Sequence, residues 1–329
     1  MRIALVGGSG FVGSRLAPRL VNAGHAVTVL DQRRPVGEEI EYARLDVRDK
    51  DAVIEALRGH DAIINLAAVH RDDVRPRSLY DDVNIGGAKN VCAAARANSI
   101  ERIVFTSSIA VYGFAPSGTD ETGEMHPFND YGRTKMEAEA VYRGWLDEDV
   151  VHRSLTIVRP TVVFGERNRG NVYNLLRQIA GRNFVMVGRG DNCKSMAYVE
   201  NVAAFLAHCL SLGCGEHLHN YVDKPDFNMN ELVGKIYEVL GRKRRIRVRI
   251  PYWTGYTVGV LFDGVARATH HTFPISAIRV KKFCSETKFE SSAARMASFD
   301  PPVSLSEGLE RTIRYEFLES HNGEAFYSE

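Results

Sequence analysis

Apolar residues in the first half of the chain fall into short continuous runs separated by longer stretches that carry a helical stripe. Ile3 to Val6 is such a run. It breaks at Gly7-Gly8-Ser9-Gly10-Phe11-Val12-Gly13, and Val12, Leu16 and Leu20 then recur at helical spacing as far as Gly24. A second apolar strand, Ala26 to Leu30, ends in Asp31. Strands over Glu41–Leu45, Ala62–Leu66, Arg102–Ser107 and Leu155–Arg159 alternate with helices over Lys50–Leu57, Asn84–Ala97 and from about Tyr131 onward. Apolar strands that each lead into a helix predict a doubly wound parallel α/β sheet with both faces covered.

Past Arg159-Pro160 the alternation loses its regularity and loops lengthen. The pattern divides the chain into a sheet domain over 1–160 and a smaller C-terminal α/β substrate domain over 161–329, with about 195–212 returning to the first. Helices are expected over Val172–Ile179, Asn230–Leu240 and Val199–Leu210, the last packing back on the sheet domain. Between Arg242 and Arg249, Arg245, Arg247 and Arg249 alternate with Ile246, Val248 and Ile250, a strand with one basic face that meets either solvent or substrate phosphates.

The glycine turn gives the sheet its first chemistry. Gly7 lets the chain turn off the strand, Gly10 lets backbone approach a pyrophosphate, and Gly13 lets the helix pack closely. The helix start, Phe11-Val12-Gly13, offers unpaired N–H donors and a partial positive charge to phosphate. Asp31 stands 18 residues beyond Gly13, where a carboxylate accepts from ribose hydroxyls and repels a 2′-phosphate. This is the Rossmann arrangement, and NAD is the expected cofactor; Arg33 and Arg34 leave NADP possible. Ligands of such sheets lie at the strands' carboxyl ends, which groups Asp46-Val47, Leu66-Ala67-Ala68 and Ser107-Ser108 with the glycine loop.

Composition narrows the setting. The 329 residues are 44% hydrophobic and 25% charged with a net charge of +1, so no general attraction to nucleic acid or to a membrane is expected. Cys92, Cys193, Cys209, Cys214 and Cys284 show no paired spacing and read as reduced thiols of a cytoplasmic protein. The N-terminus enters a strand directly, so no signal peptide is expected. Asp263 and Arg267 interrupt the apolar run near 256–268, short of membrane-spanning length. His270 and His271 lack partners at ligand spacing, and no metal is expected.

Tyr131-Gly132-Arg133-Thr134-Lys135 supplies a reacting group. Residues four apart share a helix face, so Tyr131 and Lys135 point the same way, and a nearby ammonium together with a cationic nicotinamide pulls the phenol pKa down from about 10. Ser108, just past a strand, can hold the same substrate oxygen. His70, Arg71, Asp72 and Asp73 follow another strand end, as a solvated loop or as lining for the substrate pocket.

With these pieces the chain resembles an extended short-chain dehydrogenase/reductase of the nucleotide-sugar epimerase type. The matching motifs are Gly7 to Gly13, Asp46-Val47, Asn65 to Ala68, Val83 to Gly87, Thr106 to Gly113, Tyr131 to Lys135, Arg159-Pro160 and Lys194 to Val202. The resemblance implies Ser108, Tyr131 and Lys135 as the catalytic set. It also implies Asp46 and Val47 near the adenine, Leu66, Ala67, Ala68, Asn84, Ser107 and Pro160 along the cofactor, and Lys135 on the nicotinamide ribose. It places Asn171, Asn174 and Lys194 toward a uridine diphosphate; the two asparagines equally fit the reading of helix caps. Ile109-Ala110 stands where the family's dehydratases carry an Asp-Glu pair, which argues against water elimination. Val162 replaces an Asn, and Lys194 an Arg, of UDP-galactose epimerases. The implied activity is an NAD-dependent 4-epimerase of a UDP-hexose or UDP-N-acetylhexosamine working as a homodimer. The alternatives are a UDP-4-keto-sugar reductase and a non-catalytic nucleotide sensor.

Overall fold

The computed structural model describes residues 1–35, 40–71, 73–181, 184–242, 246, 248–269, 277–293, 296–321 and 325–326, with backbone alone at 264–269, 278, 279 and 282. Asp72, Arg245, Arg247, His270 and His271, named above, lie outside the described residues.

Strands β1 (Arg2–Val6), β2 (Ala26–Asp31), β3 (Glu41–Arg44), β4 (Ala62–Asn65), β5 (Arg102–Thr106) and β6 (Ser154–Pro160) alternate with helices α1 (Gly13–Asn22), α2 (Lys50–Ala56), α3 (Ser78–Tyr80), α4 (Gly87–Ala97) and α5 (Asp130–Leu146). They build one parallel sheet, in the order β11-β6-β5-β4-β1-β2-β3, whose seventh strand is β11 (Gly215–Tyr221). The continuous apolar runs are the inner strands: Ile3 to Val6 and Ala62 to Ile64 have no exposed surface. On one face of the sheet Val53, Val91 and Trp145 pack from α2, α4 and α5. On the other, Leu16 and Leu20 of α1 meet Val202, Phe205 and Leu206 of α7 (Val199–His208). Beyond α7 the chain adds β11 to the same sheet, paired along its whole length with β6.

The remainder is built from β7 (Val162–Phe164), α6 (Asn171–Ala180), β8 (Val185–Val187), β9 (Cys193–Lys194), β10 (Met196–Tyr198), β12 (Phe227–Asn228), α8 (Met229–Val239), β13 (Val248–Ile250), α9 (Tyr252–Thr269), α10 (Ala277–Cys284) and α11 (Leu305–Phe317). Phe164, Leu176, Met186, Leu232, Leu309 and Ile313 form its core. The basic strand reduces to β13, which pairs with β8; the Arg249 guanidinium donates to the Arg189 carbonyl and to Asn230, so protein oxygens rather than phosphates occupy it. Among the described residues no helix is long and apolar enough to cross a membrane, and no cluster of His, Cys, Asp or Glu could hold a metal ion.

Candidate active site

The three glycines of the loop meet three different steric situations. Gly7 has φ 75° and its missing Cβ would sit 2.5 Å from the Ala67 nitrogen, so the ends of β1 and β4 touch only because no side chain intervenes. At Gly13 a Cβ would fall 2.2 Å from the Gly8 carbonyl oxygen; the close contact there is with the loop itself rather than with the sheet. A Cβ at Gly10 would meet nothing closer than the Gly7 carbonyl at 3.5 Å, which leaves that spot open for a ligand. Phe11 and Val12 lead into α1, and Asp31 closes β2 beside them, accepting from Ser9 N at 3.0 Å and Arg33 N at 3.1 Å. The loop, the helix start and the carboxylate thus stand together at one edge of the sheet.

The other strand ends line up next to it. Asp46 pairs with Arg48, whose guanidinium holds the carboxyl below its usual range, and Val47 is buried under α4. Leu66, Ala67 and Ala68 are partly exposed past β4, with Ala67 N bonded to Asn65. Asn84 is buried and fully used by the protein: it accepts from Val69 N and donates to the Val69 carbonyl and to Thr134 Oγ1, tying the β4 end to α5. Its side chain thereby fixes the end of β4 against the first turns of α5. Pro160 ends β6 alongside Ser107 at the end of β5.

Tyr131 lies in the first turn of α5, capped by Asn129, whose side chain accepts from Gly132 N at 2.9 Å. A Cβ on Gly132 would be 2.4 Å from the Ala110 carbonyl oxygen, so the helix can abut the Ile109–Tyr112 turn that Ser108 begins. That contact brings the Ser108 side chain up to the Tyr131 phenol, near enough to favour its ionised form. One turn later, Lys135 Nζ donates to the Thr106 carbonyl at 2.7 Å and lies 4.7 Å from the centre of the Phe105 ring. Burial pulls the Lys135 amine down to about 7, opposed by Glu139. The expected lowering of the tyrosine is not found among the protein's own groups: burial pushes the Tyr131 phenol up, and only the neighbouring Ser108 side chain works against it. Lys135 is turned toward the Thr106 carbonyl, and its amine is not among the groups that act on the phenol. His70 is exposed at the same edge, held below its ordinary value by desolvation on its inner side and by the charges of Lys135 and Arg71. It stands closer to the catalytic helix than a solvated loop requires.

Glu139, two turns past Tyr131, was not expected. It is fully buried, accepts from Ser107 Oγ at 2.6 Å and from Arg159 at 2.8 and 2.6 Å, while Arg159 donates on to Tyr112, itself bonded to Asn220. The Ser107 hydroxyl proton is thereby given to this network. The spacing Tyr131, Lys135, Glu139 on one helix face was the available signal.

The substrate side is more open. Asn171 and Asn174 are both exposed on α6, whose cap is Gly170, so neither serves as the N-cap. Lys194 Nζ donates to the Ser285 carbonyl at 2.6 Å, and burial lowers its amine to about 8.

Comparison with known proteins agrees with this geometry. The model of the NAD dependent epimerase/dehydratase family matches residues 3–221, which end where β11 ends. An N-acetyl-alpha-D-glucosaminyl-diphospho-ditrans,octacis-undecaprenol 4-epimerase of Escherichia coli O157:H7 is 46% identical over 317 residues, 96% of this chain and 95% of that protein. The crystal structure of UDP-N-acetylglucosamine 4-epimerase from Bacillus cereus has the same fold, with a TM-score of 0.74 at 17% identity over 99% of this chain and 100% of that one. UDP-glucuronic acid 4-epimerase from the same organism, in complex with NAD, gives a TM-score of 0.73 at 19% identity over 96% and 98%. With its glycine loop, Asp31 and the Ser108–Tyr131–Lys135 constellation on one sheet edge, the chain belongs to the NAD-dependent epimerase/dehydratase family, an NAD-dependent enzyme of the extended short-chain dehydrogenase/reductase type.

Proposed function

We propose that the protein interconverts the C4 epimers of a hexose or N-acetylhexosamine carried on a diphosphate, UDP being the carrier expected from the sequence. The observation that carries this reading is the convergence of the Ser108 side chain, the Tyr131 phenol and, one turn behind, the Lys135 amine at the end of the sheet that carries the glycine loop. A second carrier, polyprenol, is favoured by the name of the 46% identical relative.

In this reading Gly7 to Gly13 and Asp31 hold the dinucleotide, and Ser108 fixes the C4 oxygen. Tyr131 removes the proton from that oxygen and later returns it. When bound, the nicotinamide supplies the hydride acceptor at C4 and a positive charge that favours the phenolate. Lys135 moves from the Thr106 carbonyl to the ribose and the tyrosine, and Glu139 behind it supports its ammonium form. The 4-keto sugar then turns in the pocket and regains the hydride on its other face. Ile109 and Ala110 offer no acid–base pair for elimination, which leaves the cycle at the keto stage. The 161–329 region, less α7 and β11, holds the carrier, with Asn171, Asn174 and Lys194 nearest the diphosphate. The chain works as a homodimer through α4 and α5 on the cytoplasmic side; light scattering of the purified protein checks the mass.

The decisive assay incubates the protein with UDP-N-acetylglucosamine, UDP-glucose or N-acetylglucosaminyl diphosphopolyprenol without added reductant. Appearance of the C4 epimer with no net nicotinamide turnover, abolished by Tyr131→Phe, is the expected result. Oxidation of NAD(P)H on a 4-keto sugar with no epimer formed identifies a one-way reductase instead.

A further inference from the structure

Phe11 places an aromatic ring in the glycine loop, and two segments from the far half of the chain reach it. The first is the loop after β7: a Cβ on Gly165 would lie 3.2 Å from the tip of the Phe11 ring and 2.6 Å from Val199 of α7, so that loop runs against the ring because it carries no side chain there. The second is Phe326, beyond α11, whose ring centre stands 5.8 Å from that of Phe11 at an interplanar angle of 49°. Rings in tilted contact at this separation attract beyond the area they bury. Phe11 thus belongs by backbone to the sheet domain and by packing to the core that holds Phe164, Val199 and Leu309.

Phe326 is itself firmly held. Its N–H donates to the Arg167 carbonyl at 2.8 Å, its carbonyl accepts from Arg169 N at 2.7 Å, and the Arg167 guanidinium lies 5.2 Å over its ring. The residue between those two arginines, Asn168, is buried. Arg167 has φ 74°, a left-handed conformation that a residue with a side chain keeps only where its surroundings impose it. Phe326 imposes it from the carbonyl end, and Glu316 of α11, its side chain 1% exposed, imposes it from the other by accepting from Arg167 N at 2.8 Å. Glu316 also pairs with Arg169 at 2.6 Å. Strain of this kind gathers where a segment must keep one arrangement. The segment leads directly into Gly170, the cap of α6.

We propose that Phe326 is a positioning residue for the dinucleotide, pinning Phe11 to the Gly165–Arg169 loop so that the glycine loop stays closed between turnovers and the cofactor is retained. A loop fixed at Phe11 keeps the neighbouring backbone N–H groups aimed at the pyrophosphate, and that pin must be undone before the dinucleotide leaves. An enzyme that returns each hydride to the sugar it came from has no need to exchange its cofactor. The proposal rests on the reading of Gly7 to Gly13 as the dinucleotide site.

The test loads the full chain with NADH and follows its release by fluorescence after mixing with excess NAD. Phe326→Ala should speed release by about tenfold, with the association rate nearly unchanged. Phe326→Leu keeps apolar bulk without the ring and should speed it by about threefold, which preserves the test if the alanine variant does not fold. Phe326→Tyr keeps the ring and should release like the parent. Phe317→Ala removes a ring of the same region that stacks on Tyr173 at 6.0 Å, and release should stay unchanged. Diluted without NAD, Phe326→Ala should lose activity as the cofactor dissociates, and saturating NAD should restore the parental kcat, a rescue that a loosened fold would not give. Unchanged release from both Phe326→Ala and Phe326→Leu overturns the proposal. Equal acceleration by Phe317→Ala does so too, because the effect would then be general loosening. Failure of the epimerase reading shows separately, as release in the expected order from a protein that forms no C4 epimer.

Discussion

Burial holds the Lys135 amine at about 7 in the folded chain against 10.5 when free, so the unfolded chain binds more protons between those values and Lys135 makes stability rise with pH across that window. Below it the full penalty applies. Lys135→Met removes a buried charge, and the variant should be more stable than its parent by about 1–3 kcal/mol near pH 6, with the gain vanishing near pH 10, while epimerisation is lost. Denaturant melts at the two pH values measure this; a variant less stable at the lower pH contradicts it. Tyr131→Phe acts on chemistry alone, lowering kcat by about 100- to 10,000-fold with dinucleotide binding retained. Because burial raises the phenol, parental kcat should climb as pH rises above neutrality. These three hydroxyl and amine groups were legible from spacing alone, since a helix fixes which side chains share a face. Glu139 was not, because a glutamate on a helix ordinarily faces solvent and only the fold reveals Arg159 opposite it.

At the scale of elements, the strand-turn-helix at the N-terminus separates folding from binding. Gly13→Ala places a methyl 2.2 Å from the Gly8 oxygen and should cost about 2 kcal/mol in stability. Gly10→Ala has ordinary room within the protein and should leave the melt nearly unchanged, yet weaken NAD titrated by fluorescence quenching. If both variants melt alike, the cradle reading of Gly10 fails. Asp223 plays a structural part between elements: its carboxylate accepts from Tyr198 N, Asn201 and Tyr221, joining β10, α7 and β11. Desolvation raises it to about 6. Asp223→Ala leaves three buried donors unpaired and should cost about 2–4 kcal/mol by denaturant melt. The inner strands announced themselves as unbroken apolar runs, whereas β11, with His217, His219 and Asn220 in Gly215–Tyr221, carries no such run and is defined only by its pairing with β6.

Across the whole molecule, the Glu139–Arg159 pair ties the catalytic helix to the sheet and, through Tyr112 and Asn220, to β11. Glu139→Gln leaves the Arg159 guanidinium buried without its counter-charge and should destabilise the chain by about 3–5 kcal/mol, read by calorimetry. The architecture as a whole was legible because parallel sheets impose one grammar on a sequence. The central claim is that hydride leaves C4 and returns to the same carbon inside one site. Its most direct measurement follows the C4 hydrogen by NMR, using a C4-deuterated sugar diphosphate in ordinary water and the unlabelled compound in deuterium oxide. The account predicts that the label stays at C4 in both epimers and that none enters from solvent. Loss of the label to water, or solvent deuterium at C4, would contradict it.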